Sequence, residues 1–411
     1  MSLICVLGRQ PALGLAELES RFGVADLSVV RPDIAQLEIA QDPAIFEQLG
    51  GTQKAGVVLA AIGTTDWHKI SLQLKRIVSE ILDELPTGKV TLGISTYGLK
   101  TNPSQINATA LALKKVIKAT GRPARVVPNK EVALNTAQVL HNKLALSDGI
   151  ELLLVQDGSR TLVARTNWVQ NIEAYRRRDQ ERPHRDARVG MLPPKLAQII
   201  INLAAGSFNT QKNLDISTSL KFNETNILDN SSKSSSPILL DPFCGTGVIL
   251  QEAWLMRLNV KGTDLEPRMV EYTNRNLTWL NNDIPAAASV ADATKHSWKH
   301  PFDLVASETY LGRPLSSLPD QQTLLKIIHG CNVINKKFLQ NLAGQTRSGF
   351  RLCVAVPAWR IKSGFERLPL LDHLEELGYN RISFSYAKIS DLIYHREGQI
   401  VARELVVLTR K

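Results

Sequence analysis

Four carboxylates along the second half of this 411-residue chain are spaced so that they could do chemistry together. Asp241 closes the apolar run ILLDPF and is followed at once by a glycine-containing turn, Cys244-Gly245-Thr246-Gly247, and then by an apolar helical stretch. Asp264 ends NVKGTDL, Asp292 ends ASVADA, and Glu308 ends FDLVASE. At the carboxyl end of a strand, an acid in the place of Asp264 can accept hydrogen bonds from ribose hydroxyls, and one in the place of Asp292 suits an adenine amino group. Glycines let backbone pass close to a ligand, and the start of a helix offers free N–H donors. A phosphate-binding loop would need a Gly-Lys-Ser/Thr ending, which is missing, and Val-Ile-Leu after Gly247 breaks the dinucleotide fingerprint. The set Asp241, Pro242, Cys244, Gly245, Gly247, Asp264-Leu265 and Asp292-Ala293 therefore describes a site for an adenosine ligand without phosphates. S-adenosyl-L-methionine is the expected cofactor. Each acid taken alone could instead cap the helix after it; three in series favour the ligand.

The fourth acid stands in DLVASETYLGRP, residues 303–314. A carboxylate beside an aromatic can accept the N–H of an amine and hold a planar base by stacking. Glu308 and Tyr310 are the candidates of those two types here. Cys244 has no base nearby in sequence, so a nucleophilic role for it is not expected. The four cysteines are scattered and the eight histidines show no ligand spacing, so no metal is expected, and a reducing cytoplasm fits.

These residues need a scaffold. From residue 238 strands alternate with helices: ILLDPF, a helix from 247, NVKGTDL, a helix from 267, ASVADA and FDLVASE. RLCVAVPAW follows, then a helix near 370 and two last strands, ISFSYAKI and ARELVVLTR. Repeated βα units imply a doubly wound parallel sheet with its ligand at the strand ends. The expected fold is thus α/β, a Rossmann-like C-terminal sheet behind an N-terminal α+β half. In that first half, 89–98 and 150–158 read as strands and 105–121 as a helix stopped by Gly121. Residues 132–146 read as a second helix, and 160–169 as a strand paired with 150–158. The expected domains are 1–65, 66–170, a connector at 171–190 and 191–411. A Ser/Asn-rich insertion at 206–237 is too polar to order itself. No apolar stretch approaches the roughly 18–20 residues of a membrane span, and the N-terminus lacks the pattern of a signal peptide. Net charge is +10, which suits a polyanionic partner.

The run RRRDQERPHRDARVGMLPPKLAQIIINLAAG, with DPFCGTG and TDLEP downstream, resembles tRNA guanine-N2 methyltransferases that carry an N-terminal THUMP domain. GISTYG and ALNTAQVLHNKL likewise resemble THUMP elements, so 66–170 is expected to bind RNA. The resemblance implies methylation of an exocyclic N2 of guanine in tRNA, at position ten. It implies tRNA as partner, and the family also admits a small activating protein subunit. Enzymes that methylate amino groups on bases usually carry an acid or amide, two prolines and an aromatic in the place of SETYLG. Two registers are open. Either Ser307 takes the acid place and Tyr310 the aromatic, or Glu308 takes the acid place and Gly312-Arg313 follow as in the family. The second keeps the strand at its expected length and is preferred. Two rivals stand beside this reading: a DNA or rRNA amino-methyltransferase, and a homologue that binds RNA without catalysis.

For RNA contact the candidates are Lys100, Lys115, Arg122 and Lys143 in the THUMP-like part, with Arg177 and Arg185 in the connector. Between 171 and 188, six arginines face four acids, so the connector could equally be a linker braced by its own ion pairs. Trp359 could line a base pocket or belong to the core.

Overall fold

The computed structural model describes residues 2–39, 43–186, 191–207, 236–299 and 301–411. The expected insertion at 206–237 falls, except at its ends, outside the described residues, as does Arg188. The chain divides into two compact units, and the division is not sequential. Residues 1–11, 24–48 and 52–174 form the first; 12–23, 49–51 and 175–411 form the second. Helix α1 (Pro11–Phe22) thus belongs almost wholly to the second unit although a strand of the first precedes it.

The first unit is built on an eight-stranded sheet. Its strands are β1 (Ser2–Leu7), β2 (Leu27–Arg31), β3 (Ile34–Glu38), β4 (Thr52–Ile62), β5 (Val90–Tyr97), β6 (Ala124–Val126), β7 (Gly149–Asp157) and β8 (Arg160–Val169), in the order β2-β3-β1-β4-β8-β7-β5-β6. The boundary expected near residue 65 falls inside this sheet, because β4 pairs along most of its length with β8. Helix α2 (Trp67–Glu84) buries Ile70, Leu74, Ile77, Val78 and Ile81, the i, i+4, i+7, i+8, i+11 stripe of a one-faced helix, against the sheet's Leu92 and Ile94. Helix α3 (Pro103–Ala119) adds Ile106, Leu113 and Ile117 to the same core. Beneath lies a buried ion pair. Lys54 Nζ reaches Glu151 Oε1 at 2.5 Å and the Leu134 carbonyl at 2.6 Å, while Ser95 and Thr166 hydroxyls also donate to the Glu151 carboxylate. The hairpin expected across Asp157-Gly158 forms, with Asp157 opposite Arg160. The helix expected over 132–146 is shorter, α4 (Thr136–His141). Asn135 is in extended backbone and caps it through Gln138 N–H, and Lys143, at φ 56°, ends it.

The second unit holds a nine-stranded sheet among the described residues. Strands β9 (Ile238–Asp241), β10 (Asn259–Asp264), β11 (Ala288–Val290), β12 (Leu304–Glu308) and β13 (Arg351–Ile361) are parallel in the order β11-β10-β9-β12-β13. Beyond β13 the sheet turns antiparallel: β17 (Val401–Arg410) pairs with it and β15 (Tyr379–Arg381) with β17. Short strands β14 (Gly364–Glu366) and β16 (Ile393–Tyr394) pair with β13 and β17. Helices α5 (Ile172–Gln180) and α6 (Pro194–Ala205) precede the sheet; α7 (Val248–Leu255), α8 (Pro267–Leu280) and α9 (Gln321–Ala343) link its strands. The chain winds one way from β9 to β11 and the other from β12 to β13, so β9 and β12 flank the switch point where such sheets bind ligands. The helix expected near 370 is only a short 3-10 turn, Pro369–Asp372. The strand expected at ISFSYAKI also does not form. The backbone N–H groups of Ser385 and Tyr386 are taken by the Glu19 carboxylate, at 2.7 and 3.0 Å, instead of by a neighbouring strand.

Candidate functional site

A cleft of about 660 Å³ opens at the carboxyl ends of the parallel strands of the second unit. Asp241, Asp264, Asp292, Leu265, Glu308 and Tyr310 all line it. Residues scattered over seventy positions of sequence meet there because each acid stands at or just past the end of its strand.

Asp241 ends β9 and is buried. It accepts the Ser307 hydroxyl at 2.6 Å and the Phe243 N–H at 3.2 Å. Burial pushes its carboxyl up to about 8, with the charges of Asp264 and Glu308 pushing the same way against those two hydrogen bonds. The turn after it needs its glycines. Gly245 sits at φ 52° and Gly247 at φ 83°, the left-handed region. A Cβ on Gly247 would lie 2.9 Å from Thr273 Cγ2. A Cβ on Gly245, a cleft-lining residue, would meet no atom within 4 Å, so the backbone there is open to close approach. Thr273 Oγ1 donates to the Gly245 carbonyl at 2.8 Å, and Cys244 N–H to the Thr263 carbonyl at 2.9 Å. The Cys244 thiol is buried, and burial raises its pKa well above the ordinary value, which disfavours the thiolate.

Asp264 ends β10. Its Oδ2 accepts Gly245 N–H at 2.8 Å and its Oδ1 accepts Glu266 N–H at 2.9 Å, which clamps the glycine turn and leaves each oxygen a second lone pair. Burial raises its pKa. Asp292 lies two residues past β11. Thr294, through hydroxyl and N–H at 2.7 and 3.0 Å, takes its Oδ1 and lowers its pKa; Lys295 approaches Oδ2 at 3.4 Å. Asp264 and Asp292 thus keep acceptor capacity for hydroxyl and amino donors, and the turn between Asp241 and Gly247 offers a bare backbone. These are the residues that could hold an adenosine-bearing cofactor.

On the other wall, Glu308 ends β12. Ser307 points away, to Asp241, and is wholly buried; Glu308 lines the cleft and is ion-paired with Arg403 of β17. Thr309, where the base-methylating loop usually has proline, donates N–H and hydroxyl to the Ala355 carbonyl at 3.0 and 3.2 Å. A proline could not make the first bond, so a tether to β13 holds this loop in place of ring rigidity. Tyr310 is 45% exposed, its ring available to a stacking partner. Trp359 is wholly buried in the core against β17 and does not reach the cleft.

The connector is tied to the cofactor side by Asn276 of α8. Its side chain accepts His184 N–H at 3.0 Å and donates to the His184 and Thr246 carbonyls at 2.9 and 2.8 Å. Arg178 forms a two-pronged pair with buried Glu252, and Asp186 accepts from Arg268 at 2.8 Å. Arg177 stays exposed with its guanidinium 5.8 Å from the Trp279 ring centre; Arg185, also exposed, donates to the Gln180 carbonyl at 3.3 Å. In the first unit Lys100, Lys115 and Lys143 are exposed. Arg122 differs from them: its guanidinium donates to the carbonyls of Leu82, Pro86 and Gly88, closing the end of α2. Lys100 also borders a polar hollow of about 750 Å³ with Trp67 and His68.

Arg403, Thr309 and Asn276 were not foreseen as site residues. Arg403 carried a signal, an arginine inside the apolar strand VARELVVLTR next to a glutamate, which demands a partner when buried. No described helix is long and apolar enough to cross a membrane, and no cluster of metal-ligating side chains occurs among the described residues.

Residues 226–357 match the family of RMKL-like methyltransferase domains (UPF0020). The chain is 28% identical over 182 residues to a tRNA (guanine(10)-N2)-dimethyltransferase of Methanothermobacter thermautotrophicus, covering 44% of this chain and 43% of that protein. It is 26% identical over 233 residues to the enzyme of the same name from Pyrococcus abyssi, covering 53% of this chain and 60% of that one. The chain therefore spans about half the length of the curated relatives it matches. Among solved structures, TrmN from Thermus thermophilus superposes with a TM-score of 0.52 at 14% identity, over all of this chain and 99% of that one, and so shares its fold. The glycine turn and strands β9 to β12 all lie inside the matched segment 226–357, and the superposition on TrmN shows a shared fold.

Proposed function

We propose that this chain methylates the exocyclic N2 of a guanosine in tRNA, the tenth nucleotide being the position its relatives are named for. The observation that carries the reading is the cleft, where three strand-end acids on one side meet a carboxylate and an exposed tyrosine on the other. Asp264 would accept the ribose hydroxyls of S-adenosylmethionine and Asp292 its adenine amine, the open backbone at Gly245 would pack beside it, and Pro242, Cys244, Gly247, Leu265 and Ala293 would complete the wall. When bound, the cofactor would supply an electrophilic methyl group, the S–CH₃ electron pair staying on sulfur and S-adenosylhomocysteine leaving.

The amine of guanine is a poor nucleophile because its lone pair is delocalised into the ring. Glu308 accepts an N2–H and takes the proton released as the N–CH₃ bond forms. Tyr310 offers a face on which the base stacks after leaving its own stack. The first unit is read as the RNA-gripping, THUMP-like half, with Lys100, Lys115 and Lys143 on its surface and Arg177 and Arg185 on the connector as phosphate contacts. Arg122, committed to backbone carbonyls, is left out of that set.

Incubation of unmodified tRNA with S-adenosylmethionine, followed by mass spectrometry of the nucleosides, tests the reading. N2-methylated guanosine is the expected product. N6-methyladenosine, or methylation of rRNA or duplex DNA in its stead, would move the substrate assignment. Cofactor and tRNA binding without any methylated nucleoside would make the chain an RNA-binding homologue.

A further inference from the structure

We propose that the Glu308–Arg403 pair selects the base itself, accepting guanine because guanine alone among the amine-bearing bases carries a ring N–H beside its amine. The inference rests on the guanine-N2 reading above and assigns a role to Arg403, which lies on the antiparallel end of the sheet and outside the cofactor wall.

Glu308 stands at the mouth of β12 with its side chain 14% exposed, facing the cleft. Arg403, 7% exposed in its side chain, donates through Nε to Glu308 Oε1. That bond fixes which way the carboxylate fork is turned and keeps it an ion-paired acceptor. An ion-paired carboxylate has no hydrogen to give. Its two oxygens match two neighbouring donors. Guanine presents N2–H next to N1–H. Adenine presents N6–H next to an N1 lone pair, and cytosine presents N4–H next to an N3 lone pair. Against either of these, one carboxylate oxygen meets a lone pair and the contact is repulsive. A site built for a donor rejects a base that lacks it far more strongly than apolar packing could. In this arrangement Glu308 touches the substrate, and Arg403 is a positioning residue that acts through it.

The probe is a tRNA with 2-aminopurine in place of the target guanosine. It keeps the 2-amine but has a lone pair at N1. The wild-type chain is expected to prefer guanosine by roughly 100-fold or more in kcat/KM. Glu308→Gln slows both substrates, yet its amide N–H can donate to N1 while its carbonyl accepts the amine, so the preference should fall to less than about tenfold. Arg403→Lys, which keeps a cation, should retain the preference, and Arg403→Met should lose about tenfold of it without change in the KM for tRNA. Thermal melting of each variant separates this from loss of fold. Equal turnover of guanosine and 2-aminopurine by the wild type, or an unchanged preference in Glu308→Gln, overturns the proposal while leaving the methyltransferase reading intact. Absence of any N2-methylguanosine from the wild type overturns both.

Discussion

Asp264→Asn separates the clamp this side chain makes on the glycine turn from the ribose contact proposed for it. In the structure each carboxylate oxygen already accepts one backbone N–H, from Gly245 at 2.8 Å and from Glu266 at 2.9 Å. An amide has one oxygen, so whichever way it turns, one of those N–H groups faces an NH₂. An unsatisfied, partly buried donor costs about 1–3 kcal/mol. The ribose contact weakens as well. Charge-assisted bonds are about twice as strong as neutral ones, so two hydroxyls lose about 1 kcal/mol each, and one of them also loses its acceptor. The sum for binding is about 2–3 kcal/mol, or roughly a 30- to 150-fold rise in Kd. Calorimetric titration of S-adenosylhomocysteine into wild type and variant reads this directly, with urea unfolding as the parallel measure of stability. A Kd within threefold of wild type, with the stability loss still present, would refute the ribose assignment and leave Asp264 as a clamp on the glycine turn alone.

Three further outcomes follow from a buried ion pair, a strained glycine and two buried carboxyls. Lys54→Met strands the Glu151 carboxylate in the core of the first unit with only hydroxyl donors, and about 3–5 kcal/mol of stability should be lost in urea unfolding. Gly247→Ala forces a side chain into φ 83° and against Thr273, so cofactor affinity should drop by at least tenfold, about 1.4 kcal/mol, as seen by the same titration. Stability should also fall with rising pH. Asp241 titrates at about 8 against an ordinary 3.8, and Glu17 at about 7 against 4.5, both because burial disfavours their charged forms. The folded chain therefore holds protons that the unfolded chain has released. The contribution is full below pH 3.8 and is lost as pH climbs through 7 and 8. A denaturation midpoint that rises from pH 6 to pH 8.5 would contradict this, and Asp241→Asn should flatten the slope.

The parts of this molecule that were legible in its sequence are those with a short repeat. The alternation of ILLDPF, NVKGTDL and FDLVASE with helical stretches gave the parallel sheet, since a buried parallel strand is a short apolar run bounded by a turn. The acids were legible because they stand where such runs stop. Pairing at a distance was not. Nothing local links Glu308 to Arg403, 95 residues away, or tells that Glu19 takes the N–H groups of Ser385 and Tyr386 where a strand was expected. The split expected near residue 65 failed for the same reason, since strand order in β4 and β8 is set by the whole sheet and not by the segment between them. The short α4 was marked by Asn135, a strong cap at a position read as helix interior.

Helix α1 and Gly50-Gly51 are, in sequence, stitched into the first unit but fold with the second. Glu17 accepts from Gly50, Gly51 and Asn202, and Arg351 reaches both Ser20 and the Leu203 carbonyl. A fragment trimmed to begin at residue 175 would leave Asn202 and Arg351 groping for vanished companions and strip a helix off α6. Any attempt to isolate the second unit should therefore supply residues 12–23 and 49–51 as well, and a simple N-terminal deletion is the wrong cut.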